Sequence, residues 1–270
     1  MFFKLFKHDF LDDTKKRLSA LIVAVVSMAV SFCLVPGAVE SMESNPYSLS
    51  LISVTSLASS VATLLMFISV LTRFHRTMFT GELYLTFTRP ASKAAIILSK
   101  YLANTVWISV VSLIALANTA VFFAVSPNAE EMLLSLMDSE VYSSLVASPG
   151  TFIPLMVIFS VASSAMEVAI AQFAVTFGAL IPRRSKLIIG IGIYFGATFA
   201  ASTFSDVATS MVAMSMGEIK DGAIDIPMSM LPTYHISAIV ISSAVSIGVS
   251  IALFFVTKLI INKKLRTALG

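Results

Sequence analysis

The sequence has few charges, one cysteine and three histidines, and each of these shortages excludes a class of protein. Charged residues make up 12% of the 270 residues, whereas a soluble domain has about a quarter. The single cysteine, Cys33, excludes an intramolecular disulfide, and the histidines have no metal-ligand neighbour at a useful spacing. The chain also lacks a phosphate-binding loop and the HExxH, CxxC and serine-elbow motifs. We therefore predict that it is not an enzyme and holds no metal or cofactor of its own.

Long apolar runs dominate the sequence instead. Hydrophobic residues make up 57% of the chain, and a helix needs about 20 apolar residues to cross the hydrocarbon core of a bilayer. The runs do not alternate between polar and apolar residues, which argues against a transmembrane barrel. We therefore predict an all-α integral membrane protein, with residues 1–270 forming a single six-helix transmembrane domain. Its spans are expected at about 18–38, 48–72, 101–126, 152–181, 186–205 and 235–258.

The distribution of charge predicts how these spans are oriented. All but Lys220 of the 18 Lys and Arg residues lie before the first span, within 73–100, just after the fourth span or at the C-terminus. The predicted outer loops, 39–47, 127–151 and 206–234, carry most of the acidic residues. Because basic residues stay on the cytoplasmic side, both termini are predicted to be cytoplasmic. The net charge of +3 is then a signal of topology and not of nucleic-acid binding.

Two segments next to the spans are predicted to lie along the membrane surface. The segment 1–17 is predicted to form an amphipathic helix in the headgroup plane on the cytoplasmic side. Its apolar face consists of Phe2, Phe3, Phe6 and Phe10. The segment 206–216 is rich in methionine but too short and polar to span a bilayer. We predict a short re-entrant or surface helix there, before the sixth span.

The segment 73–100 combines charge with aromatic side chains and is predicted to be a cytoplasmic loop. Phe79, Leu83 and Phe87 recur every fourth residue, so they would share one face of a short helix. No bilayer is available to bury that face, which predicts a protein partner. Ser92 is placed to cap the helix that leads into the third span.

Small and hydroxylated residues form stripes inside the predicted spans. Glu167 lies in such a stripe and is the only acidic or basic residue well inside a span. One interpretation is close helix packing, with the Glu167 carboxyl hydrogen-bonded inside the bundle. The other is a translocation path in which Glu167 holds a cationic substrate or a gate contact. The candidate path consists of Glu167, Ser160, Ser164, Ser56 and Ser60.

One family resemblance follows from the segment 73–100. Its motif residues are Arg73-Phe74-x-Arg76, Glu82-Leu83-Tyr84-Leu85-Thr86, Pro90 and Leu98-Ser99-Lys100. Together with the predicted topology, they resemble the permease subunit of a bacterial type-2 ABC exporter, of the kind that exports peptides or gives antimicrobial resistance. Gly81 before Glu82 and Arg89 before Pro90 depart from the family pattern, and they leave the subfamily and the substrate open.

The resemblance implies a division of labour between this chain and its partners. A separate ATPase dimer would bind ATP and Mg, and a second copy or a related permease would complete the path across a bacterial plasma (inner) membrane. The substrate would be an amphipathic peptide or antimicrobial compound. The ATPase-coupling interface would consist of Arg76, Phe79, Glu82, Leu83, Tyr84, Phe87 and Arg89.

Two other functions are compatible with the same residues. The first is an ion-coupled secondary transporter that uses Glu167, although such transporters commonly have two related halves. No repeat relates residues 1–135 to residues 136–270. The second is a membrane scaffold that transports nothing, which would not need an acidic residue in its fourth span.

Overall fold

The computed structural model describes residues 2–40, 47–79, 92–125, 149–180, 186–220, 223–227 and 230–269. Within these ranges the chain forms six long helices and one short hairpin. The helices are α1 (Phe2–Glu40), α2 (Tyr47–Phe79), α3 (Lys93–Val125), α4 (Pro149–Gly178), α5 (Lys186–Met216) and α6 (Leu231–Leu269). The hairpin joins α5 to α6 and pairs β1 (Glu218–Lys220) antiparallel to β2 (Ala223–Asp225).

Five of the helices are long and apolar enough to cross a membrane. The candidate spans are Leu57–Phe79, Lys93–Asn118, Ile153–Gly178, Ile188–Met216 and Thr233–Lys263. The prediction of a helical, multi-pass membrane protein is therefore confirmed for five spans. The expected first span lies within α1, whose described apolar part, Arg17–Val30, is shorter than the other five.

The helices pack as two groups that share α4. Helices α1, α2 and α3 contact one another, and α4 contacts α3, α5 and α6. A central cluster of small and apolar side chains, including Ala24, Met66 and Val168, fills the space between α1, α2, α3 and α4. Small residues allow such close approach of helices where lipid supplies no hydrophobic driving force between them.

A second apolar cluster joins the ends of several helices at one end of the bundle. It joins Leu5 of α1, Phe74 of α2, Ile96 of α3 and Ile261 of α6, with Val175 of α4 packed against it. Most of the described basic residues lie on these parts of the helices, so we call this end of the bundle the basic end. The basic residues at this end are Lys4, Lys7, Arg73, Arg76, Lys93, Lys100, Lys258 and Lys263. The structure thus groups the residues that the sequence assigns to the cytoplasmic side.

The N-terminal segment differs from its prediction. Residues 1–17 were expected to form a separate helix in the headgroup plane, but from Phe2 the chain runs as one continuous helix, α1, to Glu40. No glycine or proline occurs between residues 2 and 35 to break it. The predicted apolar face is also divided, because Phe6 stacks on Phe10 at 6.0 Å while Phe3 is 82% exposed.

The predicted surface helix at 206–216 is likewise part of a longer element. Helix α5 continues without interruption from Lys186 to Met216, because it has no glycine or proline after Gly196. Ser210 Oγ donates a hydrogen bond to the Asp206 carbonyl at 2.8 Å, four residues earlier, which is the spacing found within a continuous helix. At 1.5 Å per residue, α5 is about 46 Å long and exceeds a hydrocarbon core of about 30 Å. The helix is therefore longer than the hydrocarbon core requires, and Asp206 lies on an exposed face of its second half.

Candidate functional site

A pocket lies between α1, α2 and α3 at the basic end. It is small, with a cavity volume of about 10 Å³, which is room for about one water molecule, and we call it the polar pocket. It is lined by Asp9, Arg73, Phe74, Thr77, Lys100, Ala103 and Asn104. Charged groups so close to the apolar spans need partners, since an unpaired buried charge is strongly disfavoured. We therefore describe the polar partners of these side chains first.

Asp9 connects the start of α1 to the start of α3. Its side chain is buried, accepts a hydrogen bond from the Ser99 hydroxyl and forms an ion pair with Lys100 Nζ at 3.4 Å. Lys100 follows Ser99 on α3, so both donors approach one carboxylate from the same helix. The arrangement fixes α1 to α3 at the level of the polar pocket.

Arg17 makes a second connection between the same two helices, two turns deeper. Its side chain is only 1% exposed, and Arg17 Nη2 donates a hydrogen bond to Asn104 Oδ1 at 2.7 Å. The guanidinium carbon lies 6.0 Å from the centre of the Trp107 ring, on which Phe10 stacks at 5.1 Å. The attraction between a cation and an aromatic ring is stronger where water is excluded, so Trp107 and Asn104 together stabilise the buried Arg17 side chain.

Neither Asp9 nor Arg17 was recognised as a site residue from the sequence. Arg17 was counted only as one of the basic residues that orient the chain, and Asp9 was not singled out. A signal was nevertheless present, because residues seven or eight apart fall within one stripe, about 100° wide, along a helix surface. Asp9 and Arg17 have this spacing on α1, and Lys100 and Trp107 have a similar spacing on α3.

The structure separates the members of the predicted translocation path. Ser164 is 3% exposed and packs between helices, donating to the Ser160 carbonyl at 2.8 Å and to Ser112 Oγ of α3 at 3.4 Å. Glu167, one turn further along α4, is exposed on the outside of the bundle. Ser60 of α2 is also exposed, and the Ser56 side chain lies outside what the structure describes. Ser164 is therefore buried in a contact between helices, whereas Glu167 is exposed.

Glu167 lies near the junction of three helices. It is close enough to Tyr194 of α5 to interact with it electrostatically. The Tyr194 ring in turn lies 5.4 Å from the ring of Phe67 on α2. Glu167 is thus an acidic side chain in the middle part of an apolar span, beside an aromatic pair and exposed outside the bundle.

The predicted coupling interface is described only in part. Arg76 is exposed at the end of α2, and Phe79 is half-buried, with its ring 6.3 Å from Phe74 and 6.0 Å from His75. The remaining predicted residues fall in 80–91, outside the described residues. They are Glu82, Leu83, Tyr84, Phe87 and Arg89. The predicted cap on α3 is confirmed, since Ser92 Oγ accepts a hydrogen bond from the Ala95 backbone N–H at 3.2 Å.

Within the ranges that the structure describes, no group of three or more His, Cys, Asp or Glu side chains could hold a metal ion. The features that remain as candidates are the polar pocket at the basic end and the exposed Glu167 of α4.

Comparisons of this chain with protein-family models, with curated proteins and with solved structures found no match.

Proposed function

We propose that this chain is the membrane-spanning permease subunit of an ABC exporter in a bacterial inner membrane. In this proposal a separate ATPase dimer binds ATP and Mg and docks at the basic end. A second permease, either another copy or a related chain, completes the path. The cargo is an amphipathic, cationic compound such as an antimicrobial peptide. The proposal rests on the resemblance of the segment 73–100 and on the position of Glu167.

The exposure of Glu167 is the observation that carries the proposal. A charged side chain at the centre of a membrane helix costs about 2.5–3.5 kcal/mol on insertion scales, so such residues normally face protein or water. In a single chain Glu167 would face lipid. A second permease packed beside α4, with a polar path between the two, would give the carboxyl the polar surroundings that it needs. A monomeric scaffold would gain nothing from this residue.

The contacts of α1 support a mechanical role for the basic end. Because Asp9 and Arg17 tie α1 to α3, a force applied at the connection between α2 and α3 would move α1 and α3 together. Closure of an ATPase dimer on ATP is a source of such a force, and rigid tilting of packed helices is a common way to switch access between two sides. The chain itself would supply the route and the coupling.

The docking of the ATPase is tested by co-purification. Replacing Leu83 and Phe87 with Asp should abolish recovery of the proposed partner ATPase, because it places two charges on the apolar face expected to enter a groove. The matched control replaces Met211 and Met214, which are exposed on α5 toward the other end, with Asp. If the ATPase stays bound to the first variant, or is lost equally from both, the docking assignment is wrong.

The role of Glu167 is tested by removing only its charge. Glu167→Gln keeps the shape of the side chain, so assembly should be unchanged while substrate-stimulated ATPase activity falls about tenfold, a loss equivalent to about 1.4 kcal/mol. Asp206→Asn removes one carboxylate from an exposed position on α5 and should leave activity near wild type. Wild-type activity in Glu167→Gln would remove Glu167 from the path.

The cargo is tested in a sensitive host that expresses the permease with its ATPase. The expected result is increased tolerance to cationic amphipathic peptides, with no change for neutral sugars or anionic drugs. Protection confined to sugars or anionic drugs would contradict the peptide proposal and leave the exporter proposal in place.

A further inference from the structure

The middle of α4 is covered by neighbouring helices except at one residue. Between Ala162 and Thr176, Glu167 is the only exposed residue, and all the others are buried or half-buried. Helix α4 contacts α2 and α5 as well as α3 and α6, and together these helices cover the rest of this stretch. Glu167 therefore lies at a narrow opening in the side of the bundle, which we call the lateral window.

Two aromatic rings lie beside the lateral window, one from α2 and one from α5. The rings of Phe67 and Tyr194 are 5.4 Å apart and tilted by 55°, and both residues are half-buried. Phe67 packs against the buried cluster that contains Val168, the residue after Glu167. Tyr194 is within electrostatic reach of Glu167. The carboxyl group and the two rings thus border one opening.

The Glu167 carboxylate lacks a positively charged neighbour. Among the residues that the structure describes, no group donates a hydrogen bond to it and no Lys or Arg pairs with it. An ionised carboxyl group in the middle of a span is stabilised by an opposite charge or by polar surroundings. A bound metal ion would need several oxygen ligands, and the described residues offer no such group around Glu167. An organic cation needs only one carboxylate and is also attracted to the faces of aromatic rings.

The depth of Glu167 selects among organic cations. A ligand must lose its water to reach the middle of a span, and this loss costs most for a small, strongly hydrated ion. A cation whose charge is spread over apolar groups loses less hydration and dissolves in the bilayer. Because Glu167 is exposed on the outside of the bundle, such a ligand can reach it directly from the lipid.

We propose that the lateral window binds an apolar organic cation that enters from the hydrocarbon of the bilayer. Glu167 supplies the opposite charge, and the rings of Phe67 and Tyr194 contact the apolar groups that carry the positive charge. The inference deepens the proposed function and rests on it for its role in transport, since it names the residues that hold a cationic cargo and the chemistry that they recognise. Binding itself needs only this chain, so it is measured without an ATPase.

The test measures binding of radiolabelled tetraphenylphosphonium to the purified full-length chain in phosphatidylcholine nanodiscs, with binding to empty nanodiscs subtracted. We expect saturable binding that Glu167→Gln weakens about tenfold, because the opposite charge is lost. Asp206→Asn removes a carboxylate from an exposed position on α5 and should stay within about twofold of wild type. An equal loss in both variants would show general attraction of cations to acidic residues and overturn the proposal.

The aromatic rings are tested on the same helix. Tyr194→Leu should weaken binding about fivefold, whereas Tyr194→Phe keeps the ring and should stay within about twofold of wild type. Phe199→Leu is the matched control, because it removes a ring that is 73% exposed elsewhere on α5. Equal effects of Tyr194→Leu and Phe199→Leu would contradict a site between Glu167 and the ring pair.

Two measurements on the wild-type chain need no variant to fold. Tetraphenylborate has the shape of tetraphenylphosphonium and the opposite charge, so it should show no saturable binding above that of empty nanodiscs. Saturable binding of both ions with equal affinity would show apolar partition and overturn the proposal. Displacement of the label by sodium ions as effectively as by unlabelled tetraphenylphosphonium would indicate an inorganic ion site and also overturn it. Co-purification of the ATPase tests the proposed function separately, so the two can fail independently.

Discussion

Removing the Asp9 carboxylate should release the first turns of α1 from α3. In Asp9→Ala the Lys100 ammonium, whose side chain is 13% exposed, loses the carboxylate with which it pairs, and the buried Ser99 hydroxyl loses its acceptor. Breaking a buried ion pair from one side costs about 3–5 kcal/mol. Because Lys100 borders the polar pocket and can recover some hydration there, we expect a loss of about 3 kcal/mol in the free energy of unfolding.

Trp107 makes this change visible, because it is the only tryptophan in the chain and is buried against Phe10 of α1. The assay is a denaturant titration in mixed micelles, followed by tryptophan emission and by helical circular dichroism. In Asp9→Ala the emission should shift to the red before the helical signal falls, since α1 separates locally. Lys7→Ala removes a charge from an exposed position on the same helix and should stay within about 0.5 kcal/mol of wild type. Equal stability of the two variants would refute the reasoning, because Asp9 would then contribute nothing to the docking of α1.

Three further predictions concern single side-chain contacts. Tyr101→Phe removes the hydroxyl that bonds to the Ala165 carbonyl and to Ser250, and should cost about 1 kcal/mol; a double-mutant cycle with Ser250→Ala should be non-additive, and additivity would contradict the contact. Ser164→Leu overfills a buried helix contact and should cost about 2 kcal/mol in a denaturant titration, whereas Ser60→Leu at an exposed position should be nearly neutral. Ser92→Ala removes the cap of α3 and should cost about 1 kcal/mol, with faster hydrogen exchange confined to the first turn; unchanged exchange there would count against the cap.

The membrane class could be predicted because it depends on composition and run length alone. A helix of about 20 apolar residues satisfies its backbone hydrogen bonds internally and gains by entering lipid, whatever its neighbours are. The basic end was also predictable, since the positions of Lys and Arg along the chain determine it. Ser92 belongs with these features, because a cap involves only the residues next to it.

The boundaries of α1 and α5 were harder to predict for a physical reason. A change from apolar to polar composition marks where a helix leaves the lipid, but it does not end the helix. Both helices continue past that change because no glycine or proline interrupts them, so residues 2–17 and 206–216 became parts of longer elements. In α1, the tertiary contacts of Asp9 and Arg17 with α3 also stabilise the continuation.

The sequence by itself determined whether each segment lies in lipid or in water, because this depends on the hydropathy and charge of its residues. Only the tertiary structure decided which side chains meet, because contacts depend on how helices are rotated and packed against one another. Ser164 and Glu167 are three residues apart in one stripe, yet one is buried against α3 and the other is exposed outside the bundle. Asp9, Arg73 and Lys100 are distant in sequence and became neighbours because three helices converge at the basic end.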